Sequence, residues 1–152
     1  MIRFEGVEPL PVPPAAAFDR LADAGWLARA LPDAEVTDTA ADRAAWRVKP
    51  KFAFMAGTLD TVAEVLDRQP PTAVRYRVAS KGVGSNSSVD AVLTLEPADD
   101  GTSRVRWVAD VAELGGLLKL VPRGLIQAAA SKVIADVWVA VREKMASSEP
   151  EA

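Results

Sequence analysis

Neither histidine nor cysteine occurs in this 152-residue chain. The side chains that carry most acid–base, thiolate and transition-metal chemistry are therefore missing together, and disulfides with them. An enzyme built from this sequence would rely on Asp, Glu, Lys, Tyr, Ser, Thr or an added cofactor, and nothing in the sequence calls for a cofactor or a metal. Four polar residues, Tyr76, Gln127, Ser131 and Asp136, fall on or near the interior that the apolar pattern predicts, where they could orient a ligand or a substrate carbonyl. Simpler roles compete for two of them. A buried phenol usually gives its hydroxyl a fixed hydrogen-bond partner, and Asp136 follows Lys132 at the spacing of a helical ion pair.

Three other constellations invite a functional reading. Lys81-Gly82-Val83-Gly84-Ser85 superficially resembles a phosphate loop, but it precedes a strand rather than a helix and lacks the spacing of the standard nucleotide motifs. Arg47, Lys49, Lys51, Arg75, Arg77, Arg104 and Arg106 could line a nucleic-acid-binding sheet face. In an antiparallel meander, however, basic strands alternate with strands bearing Asp60, Glu64 and Asp90, so a charge-paired, solubilising face is the stronger reading. No exposed aromatic platform accompanies the cations, and a net charge of −3 argues against broad attraction to nucleic acid. The stretch Leu114 to Leu125 differs from both. After the Gly115-Gly116 joint, Leu117, Leu118, Leu120 and Val121 crowd around Lys119 and Arg123. Such a segment either leads into the next helix or serves as a gate or a membrane contact.

The elements that must position these residues follow from periodicity. Met1 to Leu10 reads as a strand stopped by Pro9, Pro11, Pro13 and Pro14. Phe18, Leu21, Ala22, Trp26, Leu27 and Ala30 then recur at helical spacing, and the segment Asp23 to Gly25 splits them into two short helices ending before Pro32. From Trp46 the period becomes two: Trp46, Val48, Phe52 and Phe54 alternate with Arg47, Lys49 and Lys51, with Pro50 marking a bulge or edge. Further strands are predicted over Thr58 to Leu66, over Ala73 to Ser80, from Val89 to Leu95 and from Val105 to Val111. Lys81 to Ser88 reads as a glycine- and serine-rich connection or frayed strand start, and Asp99-Asp100-Gly101 as a hairpin turn.

Pro122 to Met145 is the long last helix. Steps of 100° place Ile126, Ala130, Val133, Val137 and Val141 at the centre of one face, widened by Ala129, Ile134, Trp138, Ala140 and Met145. That arc is broader than the roughly 100° stripe a surface helix needs. A helix of about 24 residues spans roughly 36 Å, close to the roughly 33 Å of a ten-residue strand, so a curved sheet could grip it. The class is α+β, one domain over residues 1–146, with 147–152 expected to be a disordered tail. No leader pattern and no run of roughly 18 apolar residues is present, so a cytoplasmic location is the default expectation. Small residues in the first half of the helix, opposite large aromatics, could interdigitate or could leave space; pattern alone favours the solid core.

The order of elements resembles the START-like (SRPBCC) helix-grip superfamily, and within it the CoxG family, named for its association with carbon monoxide dehydrogenase. The residues carrying the resemblance are Phe4-Glu5-Gly6, the proline-led helix with Phe18, Trp26-Leu27-Ala28-Arg29-Ala30-Leu31-Pro32, Gly57, the Gly82 to Ser88 segment and Leu114-Gly115-Gly116-Leu117. The family usually has glycine where this chain has Asp33, and some members carry a C-terminal membrane-anchoring extension, which this sequence does not show.

The resemblance implies a curved antiparallel sheet of about six or seven strands around a long C-terminal helix, with two short helices after strand 1. It also implies a hydrophobic ligand enclosed between sheet and helix, which reverses the preference for a solid core. The expected lining is Trp46, Phe52, Phe54, Tyr76, Leu93 and Trp107 from the sheet, Leu118 from the loop, and Ala129, Ala130, Val133 and Val137 from the helix. The implied role is that of a non-catalytic carrier of a lipid or quinone-like molecule, accessory to a molybdenum-containing carbon monoxide dehydrogenase or related hydroxylase and peripheral at the inner membrane face. A polyketide cyclase or aromatase, weakened by the missing histidine, and a membrane or partner adaptor acting through Leu117 to Val121 are the alternatives.

Overall fold

The computed structural model describes residues 2–49, 57–82 and 84–147. Alternating side chains build seven strands: β1 (Ile2–Leu10), β2 (Ala34–Thr39), β3 (Arg43–Val48), β4 (Leu59–Gln69), β5 (Ala73–Gly82), β6 (Ser85–Pro97) and β7 (Ser103–Gly116). Helices α1 (Pro14–Leu21) and α2 (Ala24–Ala30) follow β1, and α3 (Arg123–Ser147) ends the fold. The strands form one antiparallel sheet in the order β1-β7-β6-β5-β4-β3-β2, so β2 to β7 make a meander and β1 adds to the last strand. This is the expected α+β helix-grip architecture.

Patterning passes over one strand, β2. Its sequence, Ala-Glu-Val-Thr-Asp-Thr, buries nothing fully, and only Ala34 and Val36 are even half-buried, because it lies at the sheet edge. The glycine- and serine-rich connection is shorter than expected: β5 runs to Gly82 and β6 begins at Ser85, so the serines belong to strand. At the other end, Ala146 and Ser147 continue α3, so the helix outlasts the predicted domain limit at residue 146. Asp33 takes a φ of 59°, the left-handed region that favours glycine. Aspartate tolerates that region better than most side chains, which explains how it stands where the resemblance expects glycine.

The break between α1 and α2 is held by side chains. The amides that would continue the helix turn elsewhere: Ala24 N–H to the Ala41 carbonyl at 3.0 Å, Gly25 N–H to Ala40 at 3.1 Å, and Trp26 N–H to the Asp23 carboxylate at 3.2 Å. The carbonyls of Leu21 and Ala22 are thereby left for other donors. The Tyr76 hydroxyl donates to Leu21 O at 2.7 Å, and Arg68 donates to Ala22 O at 2.9 and 3.1 Å.

On the outer sheet face the basic residues meet carboxylates, as expected for a meander. Arg77 pairs with Asp90 at 3.0 Å, Arg47 with Asp60 at 3.1 Å, Arg106 with Glu96 at 3.4 Å and Arg3 with Asp110 at 2.6 Å. Hydrogen bonds to Asp110 and Asp90 raise the pKa of Arg3 and Arg77 respectively. The inner face carries the core: Leu10, Val74, Tyr76, Leu93, Leu95, Val105 and Trp107 are buried with α1, α2 and the end of α3.

Candidate functional site: an apolar cleft under the terminal helix

Helix α3 is gripped by its second half. Trp138, Val141 and Met145, at helical spacing, are buried, and the helix packs chiefly on β1 and α2. The Trp138 ring lies 6.3 Å from that of Trp107, Arg142 reaches Glu8 on β1 at 2.6 Å, and the Lys144 ammonium stands 5.6 Å from the Trp26 ring centre. By length and composition α3 could cross a membrane, but its last three turns are committed to these contacts.

The first half is different. From Arg123 to Val133 no residue is fully buried; Ile126, Ala129 and Ala130 are half-buried, while Leu125 is 52% and Val133 44% exposed. The inward residues of the sheet at this end, among them Trp46, Leu59, Val78, Val89 and Val111, are also only half-buried. Two apolar surfaces therefore share one end of the fold without sealing against each other. At that end a pocket of about 330 Å³ is lined by Ile2, Val111, Leu114, Leu118, Val121 and Ile126, with Lys119 and Arg123 among its walls. Leu117 to Leu120 form a 3-10 turn over it, seeded by Gly116 at a φ of 63° and fastened by a 2.9 Å bond from Leu117 N–H to the Gly84 carbonyl.

The expected lining residues separate into groups. Leu118 lines the pocket. Trp46, Ala129, Ala130 and Val137 are half-buried on surfaces facing the cleft end or the edge of the core. Tyr76, Leu93 and Trp107 lie in the packed core, at 4%, 8% and 9% exposure. Val133 sits at the rim of the helix face, because the residues that pack, Ile134, Val137, Trp138, Val141 and Met145, centre the contact about 100° away from it. Phe52 and Phe54 lie outside the described residues, as do Lys51 and Pro50. Of the polar candidates, Tyr76 is occupied by Leu21 and its burial raises the phenol pKa. Asp136 pairs with Lys132 at 3.3 Å in an exposed position, and Gln127 and Ser131 are exposed. Among the described residues no group of three or more His, Cys, Asp or Glu could hold a metal ion.

Residues missed by sequence reasoning are Ile2, at the start of β1, Val111, and the inward hydroxyls Thr61, Ser80, Ser85 and Ser87. The signal was present in strand phase. Thr61 lies between inward Leu59 and Ala63, and Ser80 continues the inward series Val74, Tyr76 and Val78.

A sheet gripping a C-terminal helix, with a cleft between them, defines the START-like helix-grip class. The model of the carbon monoxide dehydrogenase CoxG family matches residues 6–146, and the chain belongs to that family. Among solved structures, a conserved protein from Geobacillus kaustophilus is similar at a TM-score of 0.83 and 18% identity, with 95% of each chain covered. A START superfamily protein from Mycobacterium smegmatis is similar at 0.69 and 8% identity, covering 95% of this chain and 97% of its own. At such identities these structures speak for the fold alone. No curated protein matches the sequence. Family and fold together suggest a ligand-binding or carrier role.

Proposed function

We propose that this protein is a non-catalytic carrier that holds a hydrophobic small molecule, of lipid or quinone-like character, between the first half of α3 and the facing sheet. The observation carrying this reading is the asymmetry of α3. The same helix is sealed at Trp138, Val141 and Met145 yet leaves Ile126, Ala129 and Ala130 only half-covered, beside a pocket with apolar walls. Burying exposed apolar area is favourable by about 25 cal/mol per Å², so a ligand completing this end would bind mainly through its apolar body. Membership of the CoxG family supports a role as accessory to a molybdenum-containing carbon monoxide dehydrogenase or a related hydroxylase.

Native mass spectrometry and organic extraction of the purified protein test the carrier role. A co-purifying lipid, isoprenoid or aromatic molecule is expected, and added quinones should raise the melting temperature. Repeatedly empty preparations without any quinone-induced shift would remove the proposal.

A second reading is favoured by one observation. Leu120 is 80% and Leu117 57% exposed, beside Lys119 and Arg123 at the pocket mouth. Apolar side chains flanked by cations suit the surface of an anionic bilayer, from which a lipid-like ligand would be collected. Flotation with anionic vesicles should be lost in Leu120→Glu; equal flotation of both proteins would exclude this contact.

A further inference from the structure

The concave face of the sheet is not uniformly apolar. Register places Trp46, Thr61, Ser80, Ser87 and Leu114 in one row across β3 to β7, each opposite the next. The adjacent row toward the core is Ala63, Val78, Val89 and Val111, without a polar atom in its side chains. Three hydroxyls thus stand side by side on neighbouring strands, roughly 5 Å apart, in a row that ends at Leu114, a wall of the pocket.

These hydroxyls retain hydrogen-bonding capacity. Thr61 is 5% exposed, and its Oγ1 lies 2.9 Å from Ser80 Oγ. Two hydroxyls sharing one bond leave one O–H still able to donate. Ser85, two residues before Ser87 on the same face and opposite Gly82, is 6% exposed, and its Oγ is buried without any hydrogen-bond partner. A buried hydroxyl without a partner is destabilising by about 1–3 kcal/mol. A fully apolar ligand would leave that loss in place, whereas an oxygen-bearing one would relieve it.

We infer that the row Thr61–Ser80–Ser87, extended by Ser85, is a polar subsite for an uncharged hydrogen-bond acceptor, a carbonyl oxygen, at one end of the otherwise apolar ligand. The inference rests on the carrier reading and deepens it by assigning the ligand's chemistry and orientation. No carboxylate or cation of the described residues lies in this row, which suits a ketone- or quinone-type oxygen rather than a carboxylate or phosphate.

The test uses two probes of nearly the same shape, 2-acetylnaphthalene and 2-ethylnaphthalene, titrated into the full chain, into Thr61→Val/Ser80→Ala, and into Ser85→Ala/Ser87→Ala. In the variants, affinity for the ketone should fall about tenfold relative to affinity for the hydrocarbon, as expected for losing one or two hydrogen bonds. The carbonyl stretch of the bound ketone should shift upward at the same time. The serine pair, which removes no methyl group, decides the matter should the Thr61 variant fail to fold. An unchanged ketone-to-hydrocarbon ratio in proteins that still bind both probes overturns the subsite while leaving the carrier reading intact. Failure of the parent to bind either probe removes the carrier reading, and the subsite with it.

Discussion

Tyr76→Phe separates a structural tyrosine from a catalytic one. The hydroxyl donates to the Leu21 carbonyl at 2.7 Å in a site 4% exposed to solvent. The helical donor for that carbonyl, Gly25 N–H, is already bonded to Ala40. Removing the phenol oxygen therefore leaves a buried acceptor without its donor and changes little else. Such a loss costs about 1–3 kcal/mol. Taking about 2 kcal/mol, and about 2–4 °C per kcal/mol for a domain of this size, the melting temperature should fall by about 4–8 °C. Urea unfolding followed by fluorescence of the buried tryptophans should give a lower midpoint with an unchanged slope. A pH experiment checks the same geometry independently. Burial raises the pKa of Tyr76 above the ordinary value of 10.0, so the folded phenol keeps its proton while the unfolded one ionises. Its contribution is fully present below about pH 10 and is lost as pH rises from there, by about 1.4 kcal/mol per unit. Tyr76 is the only tyrosine, so tyrosinate absorbance should appear only as the protein unfolds. A variant within about 0.5 kcal/mol of the parent, or tyrosinate formation in the folded protein near pH 10, would contradict this account of the hydroxyl. Unchanged stability with lost turnover of a polyketide-like substrate would point to the cyclase alternative instead.

Three further outcomes are expected. Ala130→Leu adds three carbons to the half-buried face of α3 and should weaken probe binding about tenfold while changing the urea midpoint by less than about 1 kcal/mol; a large stability loss with unchanged binding would restore the solid-core reading. Arg142→Met breaks the 2.6 Å pair with Glu8, whose partners are 31% and 25% exposed, and should cost about 1–2 kcal/mol, between the values for exposed and buried pairs, with faster hydrogen exchange in the last turns of α3. Gly116→Ala forces a side chain into the left-handed region and its Cβ onto the Gly84 carbonyl; a loss of about 1–3 kcal/mol and earlier proteolysis near Leu117 should be seen, and a neutral result would mean that the turn over the pocket is not fixed by this glycine.

What was legible in the sequence depended on how strongly each segment's chemistry is tied to its environment. The period-two phase of Leu59, Ala63 and Val65 placed that strand's inner face correctly, because reversing the phase would bury Asp60 and Glu64. Outer-face charges were legible for the same reason: a meander brings Arg77 opposite Asp90 and Arg47 opposite Asp60. Strand β2 escaped because an edge strand buries too little to need an apolar pattern. The hydroxyl row escaped for a different reason. Serine and threonine on a strand are ordinarily solvent-facing, so Ser85 to Ser88 reads as connection until the register places Ser85 and Ser87 on the concave side.

The apolar breadth of α3 follows from two different demands on one helix. Packing on β1 and α2 requires a stripe of Ile134, Val137, Trp138, Val141 and Met145, and that stripe alone would make an ordinary amphipathic helix. The first half adds Leu125, Ile126, Ala129, Ala130 and Val133, which the fold itself does not cover. Left to stability alone, polar residues there would cost nothing and would improve solubility. Their replacement by alanine, valine and isoleucine beside a pocket walled by Leu118 and Val121 is explained by a partner that is apolar and separate from the folded chain. The cation pair Lys119 and Arg123 at the same mouth would draw that partner, or the membrane that supplies it, to the end of the protein where the helix is open.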